Sequence, residues 1–462
     1  MSLDGTVVKN LVYEINNRVN GGRIDKIYQD DSNNLLINIR ANGKRERLFI
    51  SIYGSPRMYF SEELFDSPQN PPAFCMLLRK HLENNQILSV NQYKMDRIVE
   101  IHVKSRDELG LYSEKSLIIE IMGKHSNVIL IDNESKKIID SLKRVNFNLS
   151  SVREILPGLI YNEEDISQGL DPCETESIIN LIKDCEENLN LKSFFLKAFT
   201  GISPQMCEEI EFRTNIDFKK NILSLNDDEI ELLNKVFLDI FSDIKENKFV
   251  PIKIYREEIF KDFYSIDLKE LSEKNKEKID SISSLLEEFY NSKFLRDSLG
   301  SKSKELRRAV KKHIDKINRK ISNQSNELNL ALNREKYKVY ADLISSNFHR
   351  IEKGSDHVTV ENFYNEMEEI EIPLDSKLDG PGNASKYYKK YSKLKNAAVY
   401  LEEQINIGKS EVEYLESILL NIDFAETPDE IDDLYEELEK EGYLKKRSKN
   451  NKKKRKDSQE NY

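Results

Sequence analysis

Two short runs combine residue types that bind phosphates or base edges. In Met95-Asp96-Arg97 the arginine would offer a planar fork of N–H donors, oriented by the neighbouring carboxylate. The same pair also reads as a surface ion pair worth under about 1 kcal/mol. In Glu120-Ile121-Met122-Gly123-Lys124-His125-Ser126-Asn127 a polar turn separates two apolar strands. Gly123, Lys124, Ser126 and Asn127 suit a solvated hairpin. Glu120 follows Leu117-Ile118-Ile119, so it is either an outward-facing strand residue, as a period of two allows, or a dedicated acceptor. A third run, Gly201-Ile202-Ser203-Pro204, joins two helical segments. Such turns offer backbone N–H groups to phosphate or simply form a packing corner. Residues 161–250 hold nine basic and twenty acidic residues, which favours the corner.

No self-contained catalyst is legible. The sequence has no GxxxxGK[ST], no GxGxxG, no HExxH and no GxSxG. Its six histidines lack metal-ligand spacing, so no metal or other cofactor is expected. His125 and Ser126 are adjacent, and adjacent strand residues point to opposite faces, which disfavours a nucleophile–base pair. Four well-separated cysteines without a CxxC pair suit a reducing cytoplasm. No apolar stretch approaches the ~20 residues of a membrane helix, and the first residues do not read as a secretory signal.

The 462 residues suggest about three domains. Charged residues make up 33% against 38% hydrophobic, a balance suited to long helices solvated on two sides. The net charge of −11 excludes a uniformly basic nucleic-acid binder, yet residues 301–350 carry thirteen basic and five acidic residues. Local basic stripes on an acidic whole fit a large partner touched at separate places.

The elements that must position these residues read as α+β. Residues 1–160 suggest a two-sheet α+β domain. A helix ends at Gly21-Gly22, Ala41-Asn42-Gly43 marks a hairpin, Pro71-Pro72 opens a second helix, and RIVEIHV, SLIIEI, NVILID and KIIDSL read as strands. Residues 161–250 read as all-helical. Beyond 265 heptad patterns dominate: Val310, Ile314, Ile317, Ile321, Gln324 and Leu328 in one arm, and Tyr391, Leu394, Ala398, Leu401, Ile405, Gly408, Val412, Leu415 and Leu419 in the other. The two arms, over 302–345 and 384–422, predict a long antiparallel coiled-coil hairpin, with a homodimeric coiled coil as the alternative. Between the arms, HVTVENFY alternates like a strand and LDGPGNAS reads as a turn, so 346–383 predicts a small tip domain braced by the helices. The run KKRSKNNKKKRK (445–456) is too polar to bury a core and reads as a disordered basic linker.

The ordered motifs LDG, PPAFCMLLRKHLEN, MDRIVEI, LIIEIMGKHSNVILID, GISP and LDGPGNASKYYKKYSKLKNA, followed through nearly the whole chain, resemble the NFACT family of ribosome-associated quality-control factors. Bacterial members have also carried the label fibronectin-binding protein. The resemblance implies an NFACT-N domain at 1–160, a helix-hairpin-helix domain at 161–250, and a coiled-coil/middle domain at 265–442 with its tip insert. A basic linker at 443–462 follows, and the C-terminal NFACT-R domain is not included. It also implies an activity: binding large ribosomal subunits obstructed by peptidyl-tRNA and recruiting alanyl-tRNA for mRNA-independent alanine tailing. The ribosome itself would form the bond, so the protein would not be an enzyme. Ribosomal RNA and stalk-base proteins are the further partners implied.

By the same resemblance Asp4, Asp96, Arg97, Glu120, Ile121 and Met122 are the expected tRNA-binding residues. Arg97 would contact RNA, Asp96 and Glu120 would accept from base or ribose, and Ile121 with Met122 would supply apolar contact. Arg307, Arg308, Lys311, Lys312, Lys389 and Lys390 are candidate ribosomal RNA contacts, with Tyr387 and Tyr388 as stacking platforms. A cell-surface adhesin is the competing reading. A DNA glycosylase is disfavoured, because Ser2-Leu3 stand where such enzymes place Pro-Glu.

Overall fold

The computed structural model describes residues 3–445, apart from 31, 63–66, 107–111, 147–152, 164–165 and 167–168. The basic run from 446 onward lies outside the described residues. The chain divides into two compact units, Met1–Ser292 and Lys293–Tyr462.

In the first unit, α1 (Gly5–Val19) precedes β1 (Arg23–Gln29), β2 (Leu35–Ala41), β3 (Lys44–Ser51) and β4 (Arg57–Phe60). Next come α2 (Ala73–Leu82) and β5 (Gln86–Gln92), then β6 (Ile98–Arg106), β7 (Tyr112–Glu120), β8 (Asn127–Asp132) and β9 (Ile138–Ser141). The strands form one sheet in the order β4-β3-β2-β1-β5-β6-β7-β8-β9. This corrects the expected two sheets. The halves are continuous because β1 meets β5 at the Arg23–Gln86 pair, and Gly21 and Ile24 N–H donate to the Ile87 and Asn85 carbonyls. Those groups would otherwise need water as partners.

Strands β6–β8 are apolar on both faces because both are covered. Val99, Ile101, Leu117, Ile119, Val128 and Leu130 face the main core with α1 and α2. Ile98, Ile118, Ile129 and Ile131 face a second, smaller core with Ile138, Ile155 and Tyr161. This double burial turns the expected alternation into the continuous runs LIIE and VILI.

Residues 161–250 supply α3 (Ile179–Lys183), α4 (Leu191–Ala198), α5 (Pro204–Thr214) and α6 (Asp227–Lys245). Asn226 and Glu229 form a capping box on α6. These helices and their connections share the main core with the sheet, through Phe195, Phe237 and Phe241 on the helices and Phe199 and Phe218 between them. A three-stranded sheet follows, β10 (Ile252–Arg256), β11 (Ile259–Tyr264) and β12 (Lys276–Lys278), in the order β11-β10-β12. It occupies residues that include the start of the expected coiled coil at 265. Its hairpin turn places Glu257 and Glu258 at positive φ, where Asn-Gly is the usual signal.

The helix α7 (Ile282–Leu332) starts in this unit, and its first turn is capped from outside. The Glu14 carboxylate of α1 accepts from Ile282 N–H (2.8 Å), Ser283 N–H (3.4 Å) and the Ser281 hydroxyl (3.0 Å). Ionised side chains are favoured at this end of a helix.

The second unit contains the rest of α7, then α8 (Glu335–Ser346), β13 (His357–Asn362), β14 (Glu368–Pro373), α9 (Gly380–Phe424) and α10 (Pro428–Lys440). α7 and α9 run antiparallel. Gly408 lies against Ile321 and Ile317, Lys302 pairs with Asp432, and Arg307 pairs with Asp423. The seam residues Val310, Leu415, Ile418 and Ile422 are buried, with Ile418 taking the place predicted for Leu419. The helix predicted over 302–345 is interrupted at Asn333-Arg334. The β13–β14 hairpin packs Val358, Val360 and Ile372 on Leu343, Ile344 and Ala384. Gly380-Pro381-Gly382, read as a turn, is instead the first turn of α9. Asp379 caps it by accepting from Gly382 N–H (2.8 Å), and proline is tolerated there.

Candidate nucleic-acid interface

Four separate motifs of the sequence meet at the start of α1. Asp4 is its N-cap, accepting from Val7 N–H at 2.9 Å. Its other oxygen accepts from the Ser203 hydroxyl (2.6 Å) and the Tyr264 hydroxyl (2.7 Å). One carboxylate thereby ties together α1, the Gly201–Pro204 turn and β11. Burial pushes the Asp4 carboxyl up, against these hydrogen bonds.

The backbone packs just as closely. Gly5 N–H donates to the Gly201 carbonyl at 3.0 Å. A Cβ on Gly5 would lie 2.0 Å from the Met95 carbonyl oxygen, and one on Gly201 only 1.8 Å from it. The Gln92 amide completes the joint, donating to the carbonyls of Gly5 (2.9 Å) and Asp96 (2.7 Å). The Gly-Ile-Ser-Pro turn is thus a packing corner, and the corner belongs to the site.

Arg97 leads into β6. Asp96 is buried, and its carboxylate folds back to accept from Arg97 N–H at 2.7 Å. The Arg97 guanidinium is half-buried and has no hydrogen bond or ion pair among the described residues. Beside it, Lys94 adopts φ +48° and holds its ammonium 5.5 Å from the Tyr93 ring. Ile121 N–H donates to the Arg97 carbonyl at 2.8 Å, which brings the Glu120-Ile121-Met122 run alongside.

That run divides into inner and outer parts. Glu120 is fully buried and accepts from both terminal nitrogens of Arg153 (2.8 and 2.5 Å) and from the Tyr161 hydroxyl (2.9 Å). Burial works against the Arg153 charge, but the Glu120 carboxylate outweighs it and holds its pKa up. Burial and the same carboxylate push the Tyr161 phenol far above its ordinary range. Ile121 is buried and Met122 half-buried, while Gly123, Lys124 and His125 are exposed. Ser126 and Asn127 are buried staples. The Ser126 hydroxyl accepts from Met122 N–H, and the Asn127 carbonyl oxygen accepts from Val128 and Lys143 N–H.

The six residues expected to bind tRNA are therefore gathered in one place, in different capacities. Asp4, Asp96 and Glu120 are interior acceptors, Ile121 is core, and Met122 is half-buried beside Arg97. The exposed polar surface belongs to Lys124 and His125; Tyr93, Lys94 and Arg97 are half-buried, and the Ile121–Arg97 backbone bond joins the two stretches. Tyr93-Lys94, Tyr264, Arg153 and Tyr161 were not foreseen, whereas Ser203 lies in the Gly-Ile-Ser-Pro run singled out in the sequence. Only Tyr93-Lys94, an aromatic and a cation directly before the Met-Asp-Arg run, left a local signal.

The second unit carries a separate basic feature. A groove of about 1090 Å³ is lined by Lys312, Lys316, Arg319 and Lys320 of α7, together with the carboxylates Asp315 and Glu327, and by Tyr400 and Leu401 of α9. Arg308, Lys311, Lys312 and Lys389 are exposed without ion-pair partners among the described residues, whereas Arg307 is held by Asp423. Lys390 sits 4.1 Å from the Tyr337 ring centre. The expected stacking platforms are engaged internally. Tyr387 stacks on Tyr337 and donates to the Pro373 carbonyl, and the Tyr388 hydroxyl donates to Asp342. Among the described residues, no helix is long and apolar enough to cross a membrane, and no group of three acidic, His or Cys residues could hold a metal.

The chain is 32% identical over 460 residues to the Rqc2 homolog RqcH of Bacillus subtilis, covering 99% of this chain and 78% of that protein. It is 32% identical over 452 residues to the Rqc2 homolog RqcH of Streptococcus suis, covering 97% and 76%. Among solved structures, the fibrinogen binding protein from Staphylococcus aureus shares the fold at a TM-score of 0.52 and 29% identity. That likeness covers 63% of this chain and 99% of the other. The family model of NFACT N-terminal and middle domains matches residues 4–457, and the chain belongs to the NFACT family.

Proposed function

We propose that this chain serves ribosome quality control by holding tRNA at the surface formed by the 93–97 loop and the 121–125 turn. The observation that carries the reading is the Arg97 guanidinium, half-buried and without a hydrogen-bond or ion-pair partner among the described residues, on a joint of four motifs. A donor fork left free in such a place is suited to a phosphate or a base edge. Lys94, Lys124 and His125 add charge, and Met122 and Tyr93 add apolar surface. Asp4, Asp96 and Glu120 act from beneath, by fixing the backbone that carries Arg97.

In this reading the factor binds large ribosomal subunits obstructed by peptidyl-tRNA and recruits alanyl-tRNA for alanine tailing of the stalled chain. Peptide-bond formation is the ribosome's, in the cytoplasm. Arg308, Lys311, Lys312 and Lys389 contact ribosomal RNA, and the tip insert reaches toward stalk-base proteins. The adhesin reading is not favoured. The fibrinogen-binding description attaches to a solved chain matching 63% of this one, whereas the likeness to RqcH proteins extends over 99%.

The test is to purify the full chain and its Arg97→Ala variant from cells and sequence the co-purifying RNA. The wild type is expected to carry tRNA and ribosomal RNA. The variant should lose tRNA by about tenfold, as removal of one bidentate contact predicts, while keeping ribosomal RNA. Wild-type protein free of tRNA overturns the reading.

A further inference from the structure

We infer that Arg153 and Tyr161 are positioning residues of the tRNA surface, acting through Glu120; the inference rests on the function proposed above. Glu120 is the last residue of β7 and pairs with Ile98, the first of β6. Arg97 and the 121–125 turn thus diverge from this single registered pair. Its side chain points with Ile118 into the smaller core, among Ile98, Ile129, Ile155 and Tyr161. An ionised carboxylate offers about four lone-pair sites. Three are taken by Arg153 and Tyr161, and none of the residue is exposed. RNA therefore cannot reach it, and any effect of Glu120 on RNA passes through the backbone it holds.

The choice of residues says what that hold does. An apolar side chain would fill the same space at comparable stability, because buried ion pairs contribute little net energy over well-packed hydrophobic groups. A bidentate fork adds direction instead. It fixes the plane of the carboxylate and so the orientation of the strand end. Arg153 and Tyr161 come from the segment beyond β9, where the reciprocal Val145–Ile155 backbone bonds and the Ile138–Leu159 bond attach the chain beneath the sheet. The clamp sets where Ile121 N–H meets the Arg97 carbonyl, and hence where the guanidinium sits relative to Lys124.

The test is a double-mutant cycle on the full chain, read by retention of purified tRNA, by association with large ribosomal subunits and by melting. Arg153→Met alone leaves an unpaired buried carboxylate and is liable to unfold. The paired replacement Glu120→Leu with Arg153→Met, made in a Tyr161→Phe background so that no buried hydroxyl loses its acceptor, removes both charges and keeps the volume. It is expected to melt near wild type, to bind subunits as wild type, and to hold tRNA about tenfold more weakly. Adding Arg97→Ala to that background should cost under about threefold more, since Arg97 is already misplaced, against about tenfold in the wild-type background. Tyr161→Phe, which removes one bond of three and preserves packing, should weaken tRNA retention by about threefold.

The inference is overturned if the paired replacement or Tyr161→Phe retains tRNA as wild type does, or if the Arg97→Ala effect is fully additive. Wild-type protein that holds no tRNA at all overturns the functional reading, and this inference with it.

Discussion

The joint of Gly5, Met95 and Gly201 makes a quantitative prediction, because the structure separates two costs that glycine replacement usually mixes. Gly201 has φ +77° and no room: a Cβ would stand 1.8 Å from the Met95 carbonyl oxygen. Gly5 has no left-handed backbone but almost as little room, with a Cβ 2.0 Å from the same oxygen. Gly158 has φ +89° and open space around it. Gly158→Ala therefore measures left-handed strain alone, about 1–2 kcal/mol. Gly5→Ala measures the clash alone, about 1–3 kcal/mol for an overpacked contact, at the upper end here because the obstacle is backbone. Gly201→Ala incurs both, about 2–5 kcal/mol. The assay is hydrogen exchange of first-unit amides across a urea series, since a two-unit chain need not unfold in one step. If Gly201→Ala costs no more than Gly158→Ala, the contact is not as close as described. The claim that the Met95 loop is held by α1 and the 201–204 turn then fails.

Two further outcomes follow from charge and burial. Asp267 is gripped by Lys276 (2.6 Å), Lys278 (3.2 Å) and Lys269 (3.2 Å). Burial alone would raise its pKa, but these bonds outweigh it and hold the carboxyl well below its usual 3.8. A depressed folded-state pKa contributes stability above the unfolded value, lost as the pH falls through that value towards the folded one. Asp267→Asn should thus be less stable than wild type to urea at pH 7, with the gap narrowing as the pH falls below the usual 3.8; an equal gap at pH 7 and at about pH 2.5 would refute the grip. Burial also pushes the Cys173 and Cys207 thiols up to about 12. Iodoacetamide at pH 8 should alkylate them only after unfolding in urea, and rapid labelling of folded Cys207 would contradict its burial.

What was legible in the chain was whatever local pattern controls. The Asn42-Gly43 turn, the α2 start after Pro71-Pro72 and the seam around Leu401, Ile405 and Gly408 all rest on residues close in sequence. The single sheet was not legible, because β1 and β5 meet through backbone groups around Gly21 and Ile87 that no side-chain pattern announces. The β10–β11 hairpin escaped because its turn uses two glutamates at positive φ. The motifs that meet at the candidate surface stand out in the sequence, but which of their side chains turn inward does not. Glu120 reads as an acceptor in any strand; only its partners, 33 and 41 residues later, make it an internal one. Asp4 likewise finds Ser203 and Tyr264 across 199 and 260 residues.

One helix, α1, begins at the Asp4 joint and, three turns on, lends Glu14 to the head of α7. It is a strut with a load at each end. A shift of α1 would therefore be felt both at the carbonyls that Gln92 joins and at the first turn of α7, two places far apart in the sequence of the first unit.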